Sequence, residues 1–284
     1  MKFFFPLVAL AVLLASSCTS HRGLASHDGW KLVWSDEFNT DGAVDTANWT
    51  FEQGLVRNHE PQWYQADNAV CRDGNLVITA RKERVRNPMY RSGSRDWRRK
   101  DEYAGYTSAS LTSKHKRDMT YGRVEVRAKI PVSSGAWPAI WTEGYAEISG
   151  GWPACGEVDI LEFYHKSLFA NVAWSNEKGA SQWNTVQTPF VRFTDRDPDW
   201  AEKYHVWRMD WDCDSIRLYL DDELMNVTPL SRTVQPVGGF CRQEHPFRHP
   251  MFFRLNLALR SDDGIDESVF PLVYYVDYIR CYQK

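Results

Sequence analysis

The chain is short of cysteine, nearly balanced in charge and almost without long apolar runs, and each shortage excludes a class of protein. Its six Cys include no Cys-x-x-Cys pair, and His245 and His249 flank a Pro-Phe-Arg turn without further ligands, so no zinc centre is expected. Cys71, Cys155, Cys213, Cys241 and Cys281 are odd in number and cannot all pair, which favours buried thiols with at most one or two disulfides. With 34 basic and 37 acidic residues the formal net charge is −3, which argues against nucleic acid or another general polyanion as partner. No internal repeat and no second domain can be read.

The one sustained apolar run, Phe3 to Ala15 behind Lys2, is too short to span a bilayer as a helix and suits the core of a signal peptide. Ala15-Ser16-Ser17 and then Cys18 follow, an arrangement that resembles a bacterial lipoprotein signal with Cys18 as the lipidated first residue. Ordinary secretion is the alternative. The expectation is therefore a leader over 1–17, a small polar tether over 18–29 and one domain over 30–284. The protein would be exported and anchored by lipid to the cell envelope, at the outer membrane or the cell surface.

Beyond Trp30 short alternating runs recur between turn signals, the pattern of an antiparallel sandwich. Val124, Val126, Ala128 and Ile130 alternate with Arg123, Glu125, Arg127 and Lys129, as in a half-buried strand. Ser215–Leu220 and Glu223–Thr228 flank Asp221-Asp222, which predicts a hairpin. Only Asp197–Lys203 reads as helical, with acidic residues in its first turn. From Arg81 to Lys100 the chain carries nine Lys or Arg against Glu83 and Asp96. That segment reads as a solvated loop or as a positive lip favouring anionic glycans.

The densest chemical signal is Gly156-Glu157-Val158-Asp159-Ile160-Leu161-Glu162, three carboxylates within an apolar, β-favouring run. Burying such charges is costly unless they are paired or protonated, and neighbouring carboxyls split one another's ionisation. A glycosidase needs that division, with one carboxylate free to attack and one acid kept protonated. Strand alternation would place Glu157 and Asp159 on one face and Glu162 on the other, unless a β-bulge between Asp159 and Glu162 restores it. Four effective strand steps still separate the two Glu Cα atoms by roughly 13 Å. A retaining pair needs carboxyl groups only about 5 Å apart, so the run predicts a concave sheet.

This Glu-x-Asp-x-x-Glu run resembles the bulged signature of glycoside hydrolase family 16, of the laminarinase and agarase type. Further matches run in order along the chain: Trp34–Phe38, Asn58–Tyr64, Asp73–Leu76, Tyr121–Lys129, Trp137–Trp141 and Val276–Arg280. The resemblance implies an all-β antiparallel sandwich, a concanavalin A-like jelly roll with a concave catalytic cleft. It also implies Glu157 as nucleophile, Glu162 as acid and base, and Asp159 as a support hydrogen-bonded to Glu157. For substrate contact it points to Asn58, Gln62, Tyr64, Arg123, Trp137, Trp141 and Trp174, with Trp63 a further candidate. Arg123 could equally form an ordinary cross-strand pair. Glu37, Gly74 and Asp277 match positions that supply a structural calcium in many relatives, or else form a plain hydrogen-bonded pair. No cofactor is expected in catalysis.

The resemblance implies a retaining endo-β-glycosidase acting on β-linked polysaccharide or oligosaccharide, most simply an endo-β-1,3(4)-glucanase. Three departures point to an alternative, an endo-β-galactosidase on galactans or mucin-type O-glycans. Ala173 stands where laminarinases usually carry His, Leu259-Arg260-Ser261-Asp262 lacks the usual glycines and Trp, and Thr142-Glu143 replaces an apolar pair. A non-catalytic glycan-binding protein is the remaining possibility, although it would not need both Glu157 and Glu162.

Overall fold

A computed structural model describes residues 29–284 of the chain. The leader, Cys18 and nearly all of the tether lie outside the described residues. Two sheets face one another across a continuous apolar core. One is ten-stranded and includes Lys31–Asp36, Asn75–Arg86, Gly122–Lys129, His205–Trp211 and Leu272–Gln283. The other is eight-stranded, its path running from Ser181–Pro189 through Ser167–Ser175, Glu157–Tyr164, Ala136–Gly144 and Met251–Leu259 to Ser110–Thr112 and Thr50–Phe51. Pairing is antiparallel except for Gln62–Tyr64 beside Tyr103–Ser108.

The expected alternation is present in Gly122–Lys129, where Val124, Val126 and Ala128 enter the core while their neighbours face outward. The outer face of that sheet is studded with arginine–carboxylate pairs, among them Arg123 with Asp210, Arg127 with Asp277 and Arg280 with Glu37. The 215–229 hairpin turns on Asp221 and Asp222, with φ of 47° and 67°, the left-handed pair that a two-residue turn of this twist requires.

Asp197–Lys203 forms no α-helix. Only a 3₁₀ turn, Trp200–Glu202, is present. Pro198 disfavours helical geometry at Asp197, and the segment offers a single apolar anchor, Trp200, which is buried in contact with Phe190, Phe193 and His205. The described cysteines form no disulfide; Cys213 is exposed and the other four are buried.

The strand Glu157–Tyr164 contains the expected bulge. Its register shifts between Asp159 and Glu162 against Ser167–Ser175, and between Asp159 and Leu161 against Ala136–Gly144. In consequence Ile160 and Leu161, adjacent in sequence, both enter the core beside Val158 and Phe163, while Glu157, Asp159, Glu162 and Tyr164 share the opposite face. Leu161→Ala is expected to destabilise the fold by about 2–5 kcal/mol, because a fully buried leucine is truncated at the bulge. Urea denaturation measures the loss, and a cost near zero would mean that the bulge is not anchored from below.

Candidate active site

A groove of about 950 Å³ crosses the outer face of the eight-stranded sheet. Its lining runs from Trp183 and Thr185 on one edge strand, through Asn171, Glu157, Trp137 and Arg254, to Glu52 and Arg57 at the other edge. A groove reaching from edge to edge can hold the middle of a chain. Gly156 aims the first carboxylate into it. At φ +78°, with the Phe247 ring 2.9 Å from where a Cβ would sit, that position favours glycine on both counts.

The three carboxyl groups are held by neutral donors. Trp152 Nε1 donates to Glu157 Oε2 at 2.9 Å, and Trp137 Nε1 donates to Glu162 Oε1 at 2.8 Å. Asn171 Nδ2 donates to both Asp159 Oδ2, at 3.1 Å, and Glu162 Oε2, at 2.9 Å. Asp159 shares its hydrogen bond with Glu162 rather than with Glu157, contrary to expectation. Burial, and then the charges of Glu162 and Glu143, push the Glu157 carboxyl above the usual carboxylate range. Burial raises Glu162 against the pull of its donors Trp137, Asp159 and Asn171. Asp159 is raised well above its ordinary value by burial and by both glutamates. Burial and mutual repulsion thus raise all three carboxyl groups, which favours keeping a proton within the cluster, as acid catalysis needs.

Next to this cluster the carboxylates are treated differently. Arg254 bridges Glu143, at 2.9 Å, and Glu52, at 2.5 Å, and Glu52 is also paired with Arg57. Those two guanidiniums hold the Glu52 carboxyl down at about 2 against the effect of its burial. They also flank Trp141, at 4.9 Å and 5.2 Å from its ring.

Comparison with known proteins agrees with this geometry. The model of glycosyl hydrolases family 16 matches residues 57–262. The chain belongs to that family. Among its relatives is a β-glucanase of Rhodothermus marinus, 31% identical, the alignment covering 96% of this chain and 92% of the relative. The laminarinase catalytic domain of Thermotoga maritima superposes with a TM-score of 0.71 at 34% identity, over 90% of this chain and 98% of that one. A structure described with endo-acting O-glycanases of the human gut microbiota gives a TM-score of 0.77 at 31% identity, over 90% and 91%.

Not every residue expected at the site of this family 16 hydrolase reaches the groove. Trp137, Trp141 and Asn58 line it. Gln62 and Tyr64 do not: both are fully buried behind the wall, donating to Glu60 at 2.8 Å and 3.1 Å. They fix the loop whose left-handed residues Asn58 and His59 face the groove. Trp63 is buried as well, its ring over Gly54. Trp174, 7% exposed, packs in the core between the sheets, because strand parity sends Asn171 and Ala173 outward and Val172 and Trp174 inward.

Arg123 lies on the other sheet, paired with its cross-strand partner Asp210 at 2.7 Å and 2.9 Å. Glu37 and Asp277 are each held by a separate arginine, and Gly74 lies near Asn39. Two carboxylates already matched by guanidiniums do not fit a calcium site. The basic segment is ordered by Asn87, whose side chain donates to Arg98 and Asp101 carbonyls. It reaches the groove loop through Trp97 against His59 and Arg98 on the Val56 carbonyl.

Sequence reasoning missed Trp152, Trp183 and Asn171. The pairing of Asn171 with Asp159 needed only the register of one hairpin, whereas Trp152 comes from a loop without regular pattern. Donors on a carboxylate favour its charged form, so Asn171→Ala should leave the Asp159–Glu162 pair more protonated at a given pH. The alkaline limb of the pH–rate profile would then move to higher pH. An unmoved limb would show that Asn171 does not govern that proton.

Proposed function

We propose that the protein is a retaining endo-β-glycosidase in which Glu157 attacks the anomeric carbon and Glu162 protonates the departing oxygen. The observation carrying this reading is the bulge that brings Glu157, Asp159 and Glu162 to one face of an edge-to-edge groove. In the first step the Glu157 carboxylate forms an ester bond to C1 as the glycosidic bond breaks and the Glu162 proton passes to the leaving sugar. In the second, Glu162 takes a proton from water, whose oxygen bonds to C1 and releases Glu157, with net retention. Asp159, hydrogen-bonded to Glu162, orients that group as it gives up and regains its proton. Two carboxyl groups suffice for this chemistry, which calls for no metal.

The substrate class favoured is β-1,3(4)-glucan, in line with the Rhodothermus and Thermotoga relatives. A second reading, endo-β-galactosidase action on galactans or mucin-type O-glycans, is favoured by the higher TM-score to the O-glycanase structure. It also draws on Ala173 and Arg260 at the rim, where Arg260 lies 4.8 Å from the Trp137 ring and 4.6 Å from that of Tyr164. Digestion of laminarin, lichenan, agarose-type galactans and mucin O-glycans by the purified protein separates the two. Cleavage of neither class would sink both. Export with a lipid on Cys18 is supported by Lys2, the apolar run and Ala15-Ser16-Ser17; radiolabelled palmitate incorporation lost in Cys18→Ser is its test.

Glu157→Gln should lower turnover by several orders of magnitude. The same change should raise thermal stability at neutral pH. A carboxyl whose folded pKa is raised contributes stability below its unfolded pKa of about 4.3 and loses it as pH rises. Removing it therefore stabilises the fold at pH 7, and the gain should vanish below about pH 4. Melting curves at both pH values check the sign.

A further inference from the structure

The basic run Arg81–Lys100 takes no part in the groove chemistry, yet it concentrates the positive charge of an otherwise acidic chain. It carries nine Lys or Arg against Glu83 and Asp96, whereas the remaining residues hold more acids than bases. Four of these cations lie beside carboxylates: Arg81 by Glu83, Lys82 by Glu267, Arg99 by Asp96 and Lys100 by Asp101. Arg84, Arg86, Arg91 and Arg95 are exposed and form no ion pair among the described residues. The Arg84 guanidinium lies 3.5 Å from the centre of the exposed Tyr103 ring.

These guanidiniums are presented on a braced arm. Arg86 pairs with Tyr103 at its base. Buried Asn87 ties the two limbs together, its backbone N–H donating to Glu102 O at 2.9 Å and its Nδ2 to Arg98 O at 2.8 Å and Asp101 O at 3.1 Å. Further out, Arg91 N donates to Arg99 O at 2.9 Å, and the Asp96 carboxylate caps the single turn Trp97–Lys100. The arm also abuts the groove. The Trp97 ring lies 4.8 Å from that of His59, and Arg98 Nη2 donates to Val56 O at 2.9 Å. His59 and Val56 both line the groove, so a polymer leaving it at the Asn58 loop passes onto the arm.

The two surfaces call for different chemistry. At the cleavage point an anionic group would face Glu157, Asp159 and Glu162, which are held by neutral donors. On the arm, planar guanidiniums with open N–H forks match the oxygens of a sulfate ester or a carboxylate. Given the glycosidase activity proposed for the groove, we infer that the arm between Arg84 and Lys100 binds anionic substituents, sulfate ester or carboxylate, of a polysaccharide whose uncharged sugars occupy the cleavage point. It is a docking surface that selects decorated chains and takes no part in bond breaking. The acidic remainder of the molecule confines such a polymer to this one surface, so a net charge of −3 does not oppose it. Attraction to the arm also guides the polymer toward the groove, an effect that salt screens.

The triple change Arg86→Glu, Arg91→Glu and Arg95→Glu tests this, with laminarin, sulfated laminarin and polygalacturonate as neutral, sulfate and carboxylate probes. Binding is measured by titration calorimetry in the Glu157→Gln background, so that no chain is consumed. At least one anionic polymer should bind the parent about tenfold tighter than laminarin at low salt. Raising salt from about 50 mM to about 300 mM should remove most of that difference. The triple variant should lose about tenfold in affinity for that polymer, the combined size of three exposed charge contacts, and bind laminarin as the parent does. Whichever anionic probe loses more identifies the substituent. Equal affinity of parent and triple variant for both anionic polymers, or binding of neither by the parent, would overturn the proposal once melting curves verify the fold. Binding to phosphatidylglycerol vesicles that the triple change abolishes, with none to either polymer, would overturn it in favour of a lipid surface. Undiminished turnover in Glu157→Gln would instead overturn the glycosidase reading, so the two failures are distinguishable.

Discussion

Three carboxyl groups on one strand face, held by neutral donors and by no directly bonded cation, are the constraint around which the rest of the structure is arranged. A guanidinium on Glu157 or Glu162 would fix its charge and strip the proton that general-acid chemistry requires. Indole and amide N–H groups orient the oxygens and leave the protonation to be shared. The contrast lies within the same groove, where Glu52 and Glu143 meet arginines and the Glu52 carboxyl is held down by them. One set of carboxylates is structural because it is neutralised. The other is left to neutral donors, without a bonded guanidinium.

Holding such a cluster out of water costs stability, and the layer beneath it supplies the opposing contribution. The bulge that turns Glu162 outward also drives both Ile160 and Leu161 inward, so the irregularity that assembles the chemistry adds an apolar anchor where the polar face is most crowded. The sheet opposite shows ordinary alternation, and its outer polar face carries cross-strand arginine pairs that contribute modestly each.

Much of this was legible in the amino-acid sequence because it is local. The bulge follows from the spacing of Glu157, Asp159 and Glu162, the hairpin from two aspartates between alternating runs, and the sandwich from period-two patterning. What could not be read depends on register or on distant partners. Trp174 belongs to a strand buried on both faces, where polarity gives no parity; only its pairing shows that it points inward. Gln62 and Tyr64 lie beside a true groove residue, Asn58, yet the chain straightens after the left-handed turn and buries them. Arg123 finds Asp210 across 87 residues and Arg254 finds Glu52 across 202, separations that no motif announces. The arginine partners of Glu37 and Asp277 were hidden for the same reason, since they lie far along the chain or on another strand.

The first described strand, Lys31–Asp36, is hydrogen-bonded to Leu272–Gln283 in the ten-stranded layer, the one that turns its back on the groove. A polypeptide entering the domain at this point does so from behind. Any surface to which that entry point is moored would hold the domain by its rear, with the mouth directed outward toward long polymers too large to slip between enzyme and support.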